Sequence, residues 1–155
     1  MNVNILQYQA IQFVVMFLFG FFLNPMNALA YRFNDLYPSL TLFYGGLFMA
    51  SNMVWAHELV HYFSMNHLNI YVFMTGIILS ISCIFLLRSQ FLVTDAEWLK
   101  RMIPHHSTAL TTSRNIYAKT NDKYIKELAT AIISTQESEI KVMKDMLRKN
   151  DKTLI

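Results

Sequence analysis

Hydrophobic residues are distributed very unevenly along this chain of 155 residues. Residues 9–30, 40–63 and 70–91 are almost entirely apolar, and each reaches the length of about 20 residues with which a helix crosses a bilayer. Beyond residue 93, apolar residues recur three, four or seven positions apart, a spacing typical of amphipathic helices. The pattern therefore predicts an all-α protein, with three transmembrane helices followed by an antiparallel two-helix hairpin.

The distribution of charged residues predicts a domain boundary near residue 93. Only four of them occur in residues 1–93, although the chain has 13 Lys and Arg and 10 Asp and Glu. We therefore expect a membrane region in residues 1–93, with the lipid bilayer as its partner, and a water-exposed hairpin in residues 94–155. No Lys or Arg precedes Arg32, so the first stretch lacks the basic start of a cleaved signal peptide. The net charge of +3 mixes both signs and gives no reason to expect nucleic acid binding.

The hairpin carries polar residues where its helices should be apolar. We predict helices over residues 95–118 and 122–149, each with one stripe of contact positions. The stripes consist of Trp98, Met102, His105, Ala109 and Ile116 on the first helix, and of Ile125, Leu128, Ile132, Gln136, Glu139, Met143 and Met146 on the second. His106 lies beside the first stripe. Because buried polar groups cost free energy unless they find partners, this pattern indicates a metal site between the helices.

The same residues resemble a known family, the domain-of-unknown-function family 305. The resemblance is carried by residues 95–107, Ala109-Leu110, Thr112-Ser113, Leu128-Ala129, Ile132-Ile133, Gln136, Glu139-Ile140 and Met143. A membrane-anchored branch of that family ends its last span like Arg88-Ser89-Gln90 here. The resemblance implies a ferritin-like hairpin, an association with copper, and a hairpin outside the cytoplasm. The chain departs from that branch in having His61 and His67, rather than basic residues, between the second and third spans.

Thioether and imidazole donors together favour monovalent copper, because soft ligands select soft ions. We predict the ligands to be Met102, His105, His106 and Met143. Gln136 and Glu139 would orient the histidines by accepting a hydrogen bond from the imidazole N–H that does not bind metal. The predicted function is metal handling or tolerance without catalysis. A di-iron carboxylate site needs several glutamates, and Glu139 is the only acid on either stripe.

A second motif, His57-Glu58-Leu59-Val60-His61, matches the helix signature of zinc metalloproteases. In that signature two histidines one turn apart bind zinc, and the glutamate activates water. An intramembrane zinc protease is therefore an alternative function, although no third zinc ligand is evident in the spans. A purely structural membrane protein is the remaining alternative.

The second span also contains a repeat of soft donors at every fourth position. Its members are Met49, Met53, His57, His61 and Met65. Residues four apart lie on one slowly turning face of a helix, and ionisable residues inside a membrane usually mark a pathway. The pattern indicates a metal ladder in the membrane, or simply a methionine-rich helix that fills packing gaps.

The sequence also predicts the membrane orientation of the hairpin and its assembly. Lys and Arg near the hairpin would place it in the cytoplasm by the positive-inside rule, but we follow the family resemblance and expect it outside the cytoplasm. Two helices alone bury too little apolar surface to be stable, and ferritin-like folds use four. We therefore expect a homodimer or higher homo-oligomer through the hairpins.

Overall fold

The structure, a computed structural model, describes residues 5–153, with side-chain surroundings over residues 7–149. These residues form six α-helices and no strand, which confirms the all-α prediction. The helices are α1 (Ile5–Phe22), α2 (Pro25–Ala28), α3 (Leu40–Met65), α4 (Ile70–Ser89), α5 (Asp95–Lys119) and α6 (Lys123–Thr153), with a short 3₁₀ helix at Phe33–Asp35. They divide into two compact units: the residues up to Asn24 with Leu40–Leu92, and Pro25–Ser39 with the residues from Val93 onward.

In the first unit, α3 packs against both α1 and α4. Glycines allow the helices to approach closely, as in membrane helix pairs. A Cβ atom on Gly20 of α1 would lie 3.0 Å from the Cα atom of Gly46 on α3. A Cβ atom on Gly76 of α4 would lie 2.8 Å from the backbone nitrogen of Trp55 on α3. Larger side chains at these positions would push the helices apart.

The prediction of three membrane spans is supported by length and composition for α4 alone among the described helices. The apolar part of α1 is the shorter Gln7–Phe22, and the predicted span 9–30 is broken before Pro25, whose ring removes a backbone donor. α3 is 26 residues long, but it contains the polar residues His57, Glu58 and His61, so its composition is less apolar than that of α4.

In the second unit, α5 and α6 fold back on each other around a small apolar core. This core consists of Leu99, Ile103, Leu110, Ile140, Met143 and Leu147. Thr94 caps α5 by accepting from the backbone N–H of Glu97 at 3.3 Å, as its capping-box spacing predicts. Asp122 likewise accepts from the N–H of Ile125 at the start of α6, at 3.1 Å.

The buried face of α5 differs from the predicted stripe. Leu99, Ile103 and Leu110 are buried, whereas Trp98 and Ile116 are about half exposed and His105 is exposed. The contact face is therefore displaced by about one residue. On α6 the stripe is right for Met143 but wrong for three apolar positions that are exposed, namely Ile125, Leu128 and Met146.

The second unit contains a third element that the sequence did not predict. The segment Pro25–Ser39 packs on α5, whereas the sequence predicts residues 25–30 in the first span and residues 32–39 in a loop. Its Asp35 is fully buried, accepts a hydrogen bond from Ser107 Oγ at 2.6 Å, and forms an ion pair with Lys144 of α6. The backbone N–H of Tyr31 donates to Ser107 Oγ at 2.8 Å. The hairpin is thus clamped by its own chain, and the premise that two helices stand alone is wrong.

Candidate metal site in the hairpin

The centre of the candidate site is His106 on α5. Its Nδ1 atom lies 3.0 Å from Oε2 of Glu139 on α6, and the two side chains are 14% and 49% exposed. Because a carboxylate can only accept, its position beside Nδ1 favours the proton on that nitrogen and the lone pair on Nε2. Nδ1 is buried, and within the described part of the chain no atom, Glu139 Oε2 included, makes a well-formed hydrogen bond with it, so the contact with Glu139 is a close ion-pair contact. This arrangement, in which a carboxylate holds the non-ligating nitrogen, is typical of histidines that bind metal through the other one.

Burial lowers the pKa of His106 below its ordinary value of 6.5, because desolvation disfavours the charged imidazolium. The carboxylate of Glu139 opposes this shift, and the neighbouring His105 adds to it. A lowered pKa keeps the imidazole neutral near pH 7. The neutral form is the one that binds a metal ion.

Two methionines, Met102 on α5 and Met143 on α6, lie at the apolar core of the hairpin. Met102 precedes His106 by four residues, so the two side chains share one face of α5. Met102 packs against the apolar core that contains Met143, which is 7% exposed. Met143 thus lies in the apolar core between α5 and α6, Met102 packs against that core, and His106 follows Met102 by one turn of α5.

The other predicted residues are placed differently. His105 is exposed, with its ring centroid 5.8 Å from that of His106. Gln136 is half-buried on α6, one turn before Glu139. Within the described range, no three His, Cys, Asp or Glu side chains are grouped as metal ligands. A metal site in the hairpin thus depends on the thioether donors.

The protease-like motif in α3 is held by hydrogen bonds within the first unit. Glu58 is 3% exposed; its Oε1 accepts from Gln9 Nε2 at 3.0 Å and its Oε2 from the backbone N–H of Asn69 at 3.0 Å. Gln9 Nε2 is also 3.0 Å from Nδ1 of His57. Both carboxylate oxygens therefore join α1 and the start of α4 to α3.

The methionine and histidine ladder has no uniform environment. Met49 lies beside Gly20 of α1, while Met65 is 71% exposed at the end of α3. His57 and His61 have ring centroids 6.3 Å apart, and the His61 ring is 5.6 Å from that of His67. Sequence periodicity predicted that His61 and His57 share a helix face. It did not predict that His67 lies next to His61, because the turn after α3 brings these two residues together.

Sequence reasoning also missed the clamp formed by Asp35, Ser107 and Lys144. Each residue alone is typical of a turn or a solvated helix face. The one available signal was that Asp35 is among the four charged residues before residue 94.

Comparison with known proteins agrees with the resemblance of the hairpin. The model of the domain of unknown function DUF305 matches residues 88–153, which include the end of α4 and both hairpin helices. An uncharacterized protein of Acanthamoeba polyphaga mimivirus is 35% identical over 130 residues, covering 81% of this chain and 82% of that protein. That alignment is longer than residues 88–153, so it also includes part of the first unit. No solved structure matches the chain.

Proposed function

The chain belongs to the DUF305 family, and from that premise we propose that it is a membrane-anchored protein that binds monovalent copper in its C-terminal hairpin. The observation that carries the proposal is the contact between His106 and Glu139, 3.0 Å long, on the helix pair whose apolar core contains Met143 and is contacted by Met102. Imidazole and thioether donors suit a soft ion. His106, Met102 and Met143 would bind the ion, Glu139 would hold His106, and His105 would act as an exposed fourth donor.

Matched variants test this assignment. Met143→Leu should weaken copper(I) binding more than tenfold, whereas Met146→Leu, at a methionine that is 52% exposed on the same helix, should leave it unchanged. Glu139→Gln should weaken binding about 10- to 100-fold, as loss of a group that orients a ligand does. Its control is Glu137→Gln, because Glu137 pairs with Arg114 instead.

Binding is measured by competition with a chromophoric copper(I) chelator, using the full chain in mild detergent. The double variant His105→Asn with His106→Asn should lower the copper stoichiometry. An unchanged stoichiometry in that double variant refutes the hairpin site.

Membrane anchoring is supported first by α4. Its most apolar window has a mean hydropathy of 2.5, and only 17% of the window is buried within the protein. The remaining surface carries large apolar side chains such as Ile78, Ile81 and Phe85. An extended apolar surface of this kind is favourable in lipid and costly in water.

A parity argument extends the anchor to α3. Tyr31 and Asp35, which precede α3, bond to Ser107 of α5, so the two segments lie on the same side of any membrane. The chain between them must then cross an even number of times. If α4 crosses, α3 crosses too. Glu58 lies about 27 Å along α3 from Leu40, since a helix rises about 1.5 Å per residue, and this depth is near the far edge of a hydrocarbon core about 30 Å thick.

Together with α1, this gives a multi-pass anchor of three helices, and we place the hairpin outside the cytoplasm. Single cysteines at Ser64 and Lys149, in a Cys83→Ala background, are labelled with a membrane-impermeant maleimide in intact cells. We expect Lys149→Cys to label before lysis and Ser64→Cys only after it. Labelling of both from the same side would contradict the paired crossing of α3 and α4.

Self-association is the proposed mode of assembly. Several large apolar side chains on the hairpin are exposed, namely Trp98, Tyr124, Leu128, Val142 and Met146. Exposed apolar surface of this kind is typical of interaction sites, and twofold pairing is the commonest closed arrangement. Light scattering in mild detergent should give the mass of a dimer or larger assembly. A monomer with a metal-loaded hairpin would contradict it.

A further inference from the structure

The turn between α3 and α4 brings two histidines together. The ring centroids of His61 and His67 are 5.6 Å apart and their planes are 84° to each other. Nδ1 of His61 lies 3.0 Å from the backbone carbonyl oxygen of His67. Because a carbonyl only accepts, this nitrogen carries the proton and Nε2 keeps its lone pair. The contact therefore leaves Nε2 of His61 as the nitrogen available to a metal ion.

The separation of the rings allows them to share one ion. A metal–nitrogen bond is about 2.0 Å and a ring nitrogen lies about 1.2 Å from its centroid, so two imidazoles on one ion have centroids at most about 6.4 Å apart. The observed 5.6 Å is within that limit. His67 is exposed and His61 is half-buried, so an ion from solution reaches them.

Met65 offers a thioether on the same helix face as His61, while the adjacent polar groups are already occupied. Met65 follows His61 by four residues, so it emerges on the same side of α3, and its side chain is 71% exposed. His57, next along the helix, accepts a hydrogen bond at Nδ1 from Gln9, so its Nε2 carries the proton and has no lone pair. Glu58 uses both oxygens within the unit.

We propose that the α3–α4 turn is a second metal site, which binds a soft monovalent ion through His61, Met65 and His67. Magnesium and calcium prefer oxygen ligands, and structural zinc sites use four donors that are mostly thiolate and imidazole. Two imidazoles and a thioether instead suit copper(I) or silver(I). The site is independent of the hairpin, since it lies wholly within the first unit.

The position of the turn adds a consequence that does rest on the proposed function. α3 is 26 residues long, about 39 Å at the rise of an α-helix, and the turn lies at the end remote from Leu40. If α3 crosses the membrane, the turn and the hairpin are on opposite sides. The chain then offers a soft-ion site at each face.

Silver(I), a redox-stable stand-in for copper(I), separates the two sites. The full chain in detergent is titrated by calorimetry in four forms: the parent, His61→Asn with His67→Asn, His105→Asn with His106→Asn, and the control Ser64→Ala near the end of α3. We expect the turn variant to bind fewer silver ions than the parent while retaining the hairpin's share, and Ser64→Ala to match the parent. Loss in the hairpin variant reports separately on the proposed function.

A nitrogen-15 spectrum of the imidazoles provides the second measurement. Silver should shift the Nε2 resonances of His61 and His67 and leave those of His57 unchanged. The single variant His67→Asn, at an exposed position, keeps the test valid if the double variant fails to fold by circular dichroism. Equal silver stoichiometry in the parent and the turn variants, or no shift at His61, overturns the proposal.

Discussion

Asp35 offers the sharpest test of how the second unit is held together. It is fully buried, yet its carboxylate is satisfied by Ser107 and by Lys144. The change Asp35→Ala leaves the Lys144 ammonium, whose side chain is 21% exposed, without its partner. It also leaves the buried hydroxyl of Ser107 without an acceptor.

The magnitude follows from these two losses. Removing one partner of a buried ion pair costs about 3–5 kcal/mol, and an unsatisfied buried hydroxyl adds about 1 kcal/mol. Because Lys144 is partly exposed, it recovers some hydration, so we expect a total of about 3 kcal/mol for Asp35→Ala. Asp35→Asn retains an acceptor for Ser107 and should cost about 1 kcal/mol less.

Urea unfolding of the full chain in mild detergent measures the effect. A Trp55→Phe background leaves Trp98, on α5, as the only tryptophan, so its fluorescence reports the second unit. The control is Asp145→Ala on α6. Asp145 pairs with Arg148 at the exposed surface and should change the free energy of unfolding by less than about 1 kcal/mol.

A double-mutant cycle with Lys144→Met isolates the ion pair. In that background Asp35→Ala should cost at least about 1 kcal/mol less than in the parent, because contacting charges are coupled. If Asp35→Ala unfolds within about 0.5 kcal/mol of the parent, a threshold for uncoupled surface changes, Asp35 does not clamp the hairpin and the reasoning is wrong.

Three further predictions concern packing, pH and the protease-like motif. Ile103→Ala should destabilise the second unit by about 2–5 kcal/mol, because Ile103 is fully buried. The control Ile116→Ala, at a position 44% exposed, should cost less than about 1 kcal/mol. Urea unfolding measures both. Burial depresses the pKa of His106 in the folded, metal-free protein. As the pH falls, the unfolded chain therefore binds the proton first, and the free energy of unfolding should fall below about pH 6.5. His106→Asn should flatten that part of the plot of stability against pH. Glu58→Gln should lower the thermal midpoint by loosening its contact with Asn69 but leave the processing of any cleaved protein unchanged, and loss of a defined product in that variant would favour proteolysis instead.

Sequence periodicity was sufficient for the helices because they depend on local properties. α5 and α6 begin beside Thr94 and Asp122, whose side chains cap backbone N–H groups within three residues. Pro25 ends the first apolar stretch for an equally local reason, the loss of a backbone donor. The sharp change in charge after residue 93 likewise coincides with the start of the two hairpin helices.

The register of the contact face was not determined in this way. Both Trp98 and Leu99 fit a helical stripe, but Leu99 is 5% exposed and Trp98 is 50% exposed. Stripes one residue apart differ by only about 100° around the helix, since a turn contains about 3.6 residues. The packing partner decides between them. Here the rotation makes His106, rather than His105, the histidine that meets Glu139.

The contacts between distant residues were decided by tertiary structure alone. Asp35 and Lys144 are 109 positions apart, and their pairing has no local pattern. His67 approaches His61 only because the chain reverses between α3 and α4. By itself, the sequence determined that α3 to α6 form, roughly where they begin and end, and which side chains are chemically able to bind a soft ion. Only the folded chain decided which of those side chains meet, because helix formation depends on near neighbours, whereas burial and pairing depend on what packs against each face.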